Sequence, residues 1–402
     1  MKYSIITHNP VTRTGLVSVE ADPQDFGDVV IPASVTIEGI NCSVTLIPAG
    51  AFAGCNDLKS IVIPDSVTSI GEGAFEGCNS LKSIVIPDSV TSIGERAFKG
   101  CSSLESIAIP DEVTEIGYKA FEECDKLPPI LFSIGKTILV RFFPLNRDTS
   151  YTIPKNVTSI GDGAFEGCRS IEHIVIPDGV AYIGSKAFFE CSALRSIEIP
   201  DSVTSIGNEA FYRCSVLTKV IIRGRVTSIE SCTFYECHRL TKVVIPESVI
   251  FIKERAFYGC RALASIEIPE NVIYIGAKVF CGCSVLKSIK IPDRVKLIET
   301  MTFSRCCSLT SITIPENVIY IGNSAFCGCS SLTSIDIPNR VKSIGSFAFY
   351  GCSWLRIVSF KGNAPELPGG NAFFDPSVIY YKPCTTGWTN PWDGRPTEEW
   401  AE

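Results

Sequence analysis

Thirteen phenylalanines recur along this chain at one interval. Phe52, Phe75, Phe98 and Phe121 stand 23 residues apart, and after one interruption Phe165, Phe188, Phe211, Phe234, Phe257, Phe280, Phe303, Phe326 and Phe349 resume the count. Self-similarity at a fixed period of about 20–50 residues is the mark of stacked repeats. Each coil of such a stack contacts mainly its neighbours, so the 402 residues read as one elongated domain rather than two or three globular ones. A stack of near-identical coils offers long regular surfaces rather than a single catalytic cleft.

One coil shows the physics. Leu81, Ile84, Ile86, Pro87, Val90, Ile93, Gly94, Ala97, Phe98 and Cys101 recur as Leu104, Ile107, Ile109, Pro110, Val113, Ile116, Gly117, Ala120, Phe121 and Cys124. Leu-x-x-Ile-x-Ile alternates as a short strand does, with Ile84 and Ile86 facing one way and Val85 the other. Pro87 cannot donate to a ladder and ends the strand. Val90 and Ile93 turn inward, and Gly94 is expected to take a backbone conformation closed to residues with a Cβ. Ala97, Phe98 and Cys101 close the coil through a tight turn or one helical turn. A single coil cannot cover its own apolar faces, so stability requires neighbours above and below.

The pattern Leu-x-x-Ile-x-Ile-Pro-x-x-Val-x-x-Ile-Gly-x-x-Ala-Phe-x-x-Cys, running roughly from Ile47 to Cys352, resembles the BspA-type leucine-rich repeat family. The resemblance implies a β-rich, right-handed solenoid of about 13 coils. Parallel strands would form its concave face, with short turns or helical turns on the convex side. It also implies secreted or cell-surface proteins that bind host or matrix proteins or other cells, and it brings no catalytic residues.

Both ends of a solenoid expose core and need atypical caps. Residues 1–46, with Gly15–Val19 and Asp28–Pro32 reading as strands, are expected to form an N-terminal cap, and 47–352 the repeat array. The repeat dissolves after Cys352, and 353–402 is expected to be a C-terminal cap. Trp388, Trp392 and Trp400 suit such a plug, with carbohydrate stacking as the alternative. Near 128–150 the array is interrupted: Pro129–Ser133 and Thr137–Phe143 flank Gly135 in a hairpin pattern, either replacing the convex side of a coil or projecting as a docking element. The N-terminal apolar run is too short for a signal-peptide core. That leaves an intracellular protein, a mature chain or a piece of a longer one, with the cell surface implied by resemblance and the cytoplasm as alternative.

Thirteen of the nineteen cysteines fall three residues after each repeat Phe, a position that suits a small buried apolar side chain. Side chains stacked in parallel point the wrong way for disulfides, so free thiols are expected. Cys281-Gly282-Cys283 and Cys327-Gly328-Cys329 are weak zinc candidates, since the second cysteine of each pair belongs to the buried file.

The formal net charge of −7, without a basic run, argues against nucleic acid. No stretch approaches the roughly 18 apolar residues of a membrane span. His8, His173 and His238 accompany no nucleophile pattern, and phosphate-loop, zinc-protease and serine-elbow motifs are missing. The acidic residues after each Pro (Asp65, Asp88 and Asp111 among them) fit turn chemistry better than calcium binding. No enzyme activity, cofactor or metal is therefore expected. Asn41-Cys42-Ser43 and Asn156-Val157-Thr158 are weak glycosylation sequons.

Function should then lie in outward positions that vary. Phe189, Tyr212, Tyr235 and Tyr258 follow the repeat Phe in four consecutive coils. Phe251, Tyr274, Leu297 and Tyr320 precede the inward Ile in four coils, accompanied by Ile250, Ile273 and Ile319. Self-packing between coils and a partner-binding strip stand equally open for both files. The outward strand position runs from apolar (Val62, Val85) to charged (Glu198, Glu267, Lys290). The expected partner is another protein, with a glycan as alternative.

Overall fold

The computed structural model describes residues 1–9, 14–21, 27–113, 115–128, 130–133, 135, 137–142, 149–373 and 378–400. They form two compact units, Met1–Leu145 with Asn156–Phe165, and Asn146–Lys155 with Glu166–Glu402. Both are β-solenoids, and most coils contribute two short strands to two parallel files. In the first unit the second-strand file runs Ile40–Ile47, Ser69–Ile70, Ser92–Ile93 and Glu115–Ile116. Register is one-to-one, Ser69 opposite Ser92 and Ile70 opposite Ile93, so a 23-residue step carries each side chain onto its own copy. In the second unit Ser150–Thr152, His173–Val175, Ser196–Ile199, Lys219–Ile222 and Lys242–Val244 pair in the first file.

The turns that join the files contain no helix among the described residues. The reason lies in the backbone on either side of each repeat Phe. Arg96 (φ 52°) and Gly100 (φ 71°) flank Phe98, Glu209 (φ 57°) and Arg213 (φ 54°) flank Phe211, and Lys278 (φ 59°) and Gly282 (φ 79°) flank Phe280. Two left-handed residues four apart cannot belong to a right-handed helix. The helical-turn alternative is thereby replaced by a turn whose hydrogen bonds leave the coil. Gly73, Phe75 and Gly77 donate forward to the carbonyls of Glu95, Ala97 and Lys99 at 2.7–2.8 Å. At the second strand the sense reverses, as Thr91 and Gly94 donate back to Thr68 and Ile70 at 2.8–2.9 Å.

The core is a file of near-parallel rings. Phe52, Phe75, Phe98 and Phe121 stack at 5.1–5.5 Å in the first unit. In the second, the stack runs from Phe188 to Phe349 at 5.0–5.7 Å. The cysteines beside them do more than fill space. From Cys78 onward the repeated bond is Sγ to the carbonyl of the Phe one coil back, as in Cys78 to Phe52, Cys214 to Phe188 and Cys306 to Phe280, at 3.1–3.2 Å. No disulfide joins any of the nineteen cysteines.

Gly94 departs from expectation. Its φ is not in the left-handed region; instead a Cβ there would stand 2.5 Å from the backbone nitrogen of Glu72. The same holds at Gly71, Gly117, Gly207 and Gly322, where the gap to the preceding coil's backbone nitrogen is 2.3–2.6 Å. This glycine file exists because coils touch backbone to backbone.

The interruption also reads differently in three dimensions. Ile130–Phe132 and Ile138–Phe142 pair antiparallel, and Ile138–Leu139 then pairs in parallel with Ser159–Ile160. Phe142 donates its N–H to the Ala164 carbonyl at 2.7 Å and lies 5.1 Å from the Phe165 ring. It occupies the place that the count from Phe121 to Phe165 leaves vacant. The hairpin is therefore built on a second strand of the ladder, not on the turn side of a coil. Asp111 holds its loop, accepting from Ser133 Oγ at 2.5 Å, Thr137 Oγ1 at 2.8 Å and Gly135 N at 2.9 Å. Those donors keep its carboxyl below the usual range, the Ser133 bond foremost. A group so depressed stabilises above the ordinary carboxylate pKa of about 4 and loses that contribution as pH falls through and below it. Asp111→Ala is expected to cost about 1–2 kcal/mol. It should also raise hydrogen exchange at Ser133 and Ile138 selectively; unchanged protection there would refute the anchoring role.

Beyond Cys352 the ladder continues. Ile357–Phe360 pairs with Ser334–Ile337, then Val378–Tyr381 and Thr397–Glu399 follow in parallel. Phe373 stacks on Phe349 at 4.9 Å. Trp388 lies flat on Tyr381 at 5.2 Å, and Trp392 meets Phe360 edge-on at 5.4 Å.

Candidate interaction surface

The aromatic files sort by their position in the coil. Phe189, Tyr212, Tyr235 and Tyr258 lie on the turn side, and successive centroids are 4.8, 4.6 and 4.7 Å apart with planes within 5°. Each of the inner rings has both faces covered by its neighbours, and burial pushes the Tyr212 and Tyr235 phenols up. Lys186 and Arg213 sit over Phe189 and Tyr212 at 6.0 and 5.3 Å. This geometry is that of coil-to-coil packing.

The second file is different. Val249, Val272, Val295 and Val318 turn inward and are buried, which forces the residues after them outward along the second strand. Phe251 stands opposite Tyr274, and Leu297 opposite Tyr320, in register. No ring stack joins them among the described residues, and Phe251 and Tyr274 keep 39% and 37% of their surface. Together with Ile273 and Leu297 they line a groove of about 1050 Å³. Tyr320 continues the file half-buried, beside exposed Ile319. Burial, with the Glu299 and Glu254 carboxylates nearby, holds the Tyr274 phenol above its ordinary value, so it stays a hydrogen-bond donor.

The remaining lining is polar in a one-sided way: Lys253, Arg294, Lys296 and Arg340, with Asn317, and no carboxylate. Lys253 pairs with Glu230 at 2.7 Å, and Arg340 reaches the Asn317 side-chain oxygen at 3.2 Å. Glu198, Glu267 and Lys290 do not join the groove. Glu198 pairs with Arg223 at 2.6 Å and Lys290 with Glu270 at 2.5 Å, while Glu267 is exposed on the first strand position.

The cations escaped the repeat-by-repeat reading, though the sequence carries their signal at twice the period. Pro269-Glu270-Asn271-Val272-Ile273-Tyr274-Ile275-Gly276 recurs without change at Pro315–Gly322, and Arg294-Val295-Lys296 recurs as Arg340-Val341-Lys342, each 46 residues on. Aligning coils singly averages this alternation away.

Among the described residues no group of three His, Cys, Asp or Glu side chains converges as a metal site, and no helix is long and apolar enough to cross a membrane. The buried Cys214 and Cys237 thiols are pushed up by burial, away from nucleophilic use.

Comparison with known proteins gives a consistent picture. The family model for BspA type leucine rich repeat regions matches residues 45–144, 136–264 and 251–378. A leucine-rich repeat protein from Bacteroides ovatus is 28% identical, with a TM-score of 0.52 over 100% of this chain and 99% of that one. A leucine rich cell surface protein from Faecalibacterium prausnitzii is 29% identical, with a TM-score of 0.44 over 90% of this chain and 93% of that one. The pneumococcal vaccine antigen PcpA is 19% identical, with a TM-score of 0.45 over 94% of this chain and 91% of that one. No curated protein matches.

Proposed function

Because the chain belongs to the BspA-type leucine-rich repeat family, we propose that it is a non-enzymatic scaffold that binds another protein through the groove of Phe251, Tyr274 and Leu297. The observation carrying this reading is the contrast between the two aromatic files. One covers itself by stacking; the other leaves apolar side chains exposed in a row, bordered by cations, as contact surfaces do. Adhesion at a cell surface is the setting that the family resemblance favours. A glycan platform has less support, since Trp388 and Trp392 pack against Tyr381 and Phe360.

The test is a peptide-display selection on the immobilised wild type, counter-screened on Tyr274→Ala/Tyr320→Ala. Ligands that lose binding by about tenfold or more on the variant are expected, since groove-seated aromatics are typical hot spots. The variant should melt within about 3 °C of wild type, because neither ring belongs to the buried core. Failure of the selection to yield any tyrosine-dependent ligand would sink the proposal, and collapse of the fold would return the file to self-packing.

A further inference from the structure

The file that carries the groove is not uniform along its length. Rungs bearing Ile273 and Tyr274, then Ile319 and Tyr320, alternate with rungs bearing Arg294 and Lys296, then Arg340 and Lys342; Ile319, Tyr320 and Lys342 continue the file beside the groove's own lining. From Leu297 through Tyr320 to Ser343 the strands pair in parallel, about 4.8 Å apart, so the two cationic rungs lie 9.6 Å or so apart. Four of the nearby carboxylates are already engaged: Glu270 with Lys290, Glu316 with Lys361 at 2.9 Å, Glu230 with Lys253 and Glu254 with Arg255 at 3.2 Å, while Glu299 lies near Tyr274. Arg294, Lys296, Arg340 and Lys342 have no carboxylate ion pair among the described residues. On a chain of net charge −7 this is a local cationic strip awaiting anions of matching spacing.

We propose that the groove binds an acidic segment of another protein in the polyproline II conformation, with a carboxylate at every third residue. The reading rests on the protein-binding role proposed above and adds its chemistry. A polyproline II helix turns once in three residues at about 3.1 Å each, so side chains on one face recur every 9.3 Å or so. That matches the two-coil step to within a few tenths of an ångström. An extended β-strand presents one face every two residues, at about 6.6–6.8 Å, and falls out of step by the second rung. Carboxylates on one face would meet Arg294 with Lys296, then Arg340 with Lys342. Pyrrolidine rings between them would lie on Tyr274, Leu297 and Tyr320, as proline-rich ligands lie on aromatic-lined grooves. Arginine at the outer position of each cationic rung permits a bidentate grip on a carboxylate.

The probe is a fluorescent peptide of six Glu-Pro-Pro triplets, titrated by anisotropy against the full chain. Binding is expected, weakened by about tenfold in Arg294→Ala/Arg340→Ala, two exposed side chains whose loss should leave the melt unchanged. A peptide of identical composition with its glutamates in one block should bind several-fold more weakly, and one of Lys-Pro-Pro triplets should not bind. Equal affinity for the spaced and blocked peptides would overturn the inference, as would silence of both. So would a sulfated glycan that binds as tightly and ignores Tyr274→Ala/Tyr320→Ala. A display selection rich in tyrosine-dependent ligands without acidic triplets would reject this chemistry while leaving the protein-binding role intact. A selection with no such ligand would reject both.

Discussion

Raising the pH above the ordinary thiol pKa should destabilise the second unit. Cys191, Cys214, Cys237, Cys260, Cys283, Cys306 and Cys329 are all held above the usual thiol range, with desolvation as the leading cause at each. Their shift is upward, so the stability they contribute is fully present below the unfolded pKa of about 8.5–9. It is lost as pH climbs from there toward the folded values. Over that window each such thiol lowers stability in the same direction, and the seven act together. Circular dichroism across about pH 8–11 should therefore show a steep, cooperative loss of β-structure. Tyrosines titrate in the same range, so the decisive comparison is Cys214→Ala/Cys237→Ala/Cys260→Ala. It should flatten the dependence of stability on pH by three thiols' share, even while lowering stability at neutral pH. An unchanged slope would mean that these thiols ionise in place.

The second large effect is expected from the smallest substitution. Gly207→Ala would put a methyl 2.3 Å from the backbone nitrogen of Ser185, with no flexible side chain to yield. Relief requires two coils to part where Gly207 donates its N–H to the Ile183 carbonyl at 2.8 Å. A loss of roughly 4 kcal/mol or more should follow, the range reserved for changes that dislocate packing. Gly282→Ala is the control. Its φ of +79° makes alanine strained, but the nearest atom to the new methyl is 3.6 Å away. The cost there should be only the left-handed penalty, about 1–2 kcal/mol. Urea denaturation of the two variants measures the difference. Equal costs would show that conformation, and not contact, explains the glycine file.

These two glycines illustrate what was legible in the sequence. A period of 23 reports which residues share an environment, and so the Phe, Cys, Val and Ile files were readable before any coordinates. It does not report why a residue is required. Gly94 could answer to dihedral freedom or to crowding, and only the neighbouring backbone decides. Arg96, Lys119, Glu209 and Arg255 adopt left-handed conformations that polar residues betray only weakly, so the turn was left open to a helical alternative. Phe142 was missed because the hairpin shortens its interval from Phe121 to 21 residues. The groove was half legible. Its aromatic row stood out in single-coil alignment, whereas its arginines and lysines follow a two-coil rhythm that such an alignment suppresses.

The opposed sense of the hydrogen bonds has a consequence for how such a chain can grow. On the turn side Phe75 and Gly77 donate forward, and at the second strand Thr91 and Gly94 donate back. An α-helix aligns every peptide dipole and accumulates partial charge at its ends. Here the two sides of a coil carry antiparallel dipoles that largely cancel, so an extra coil adds little net polarity. Lengthening by a pair of coils therefore meets no mounting electrostatic resistance, and with it the alternation of aromatic and cationic rungs can be extended as a ruler of selectable length.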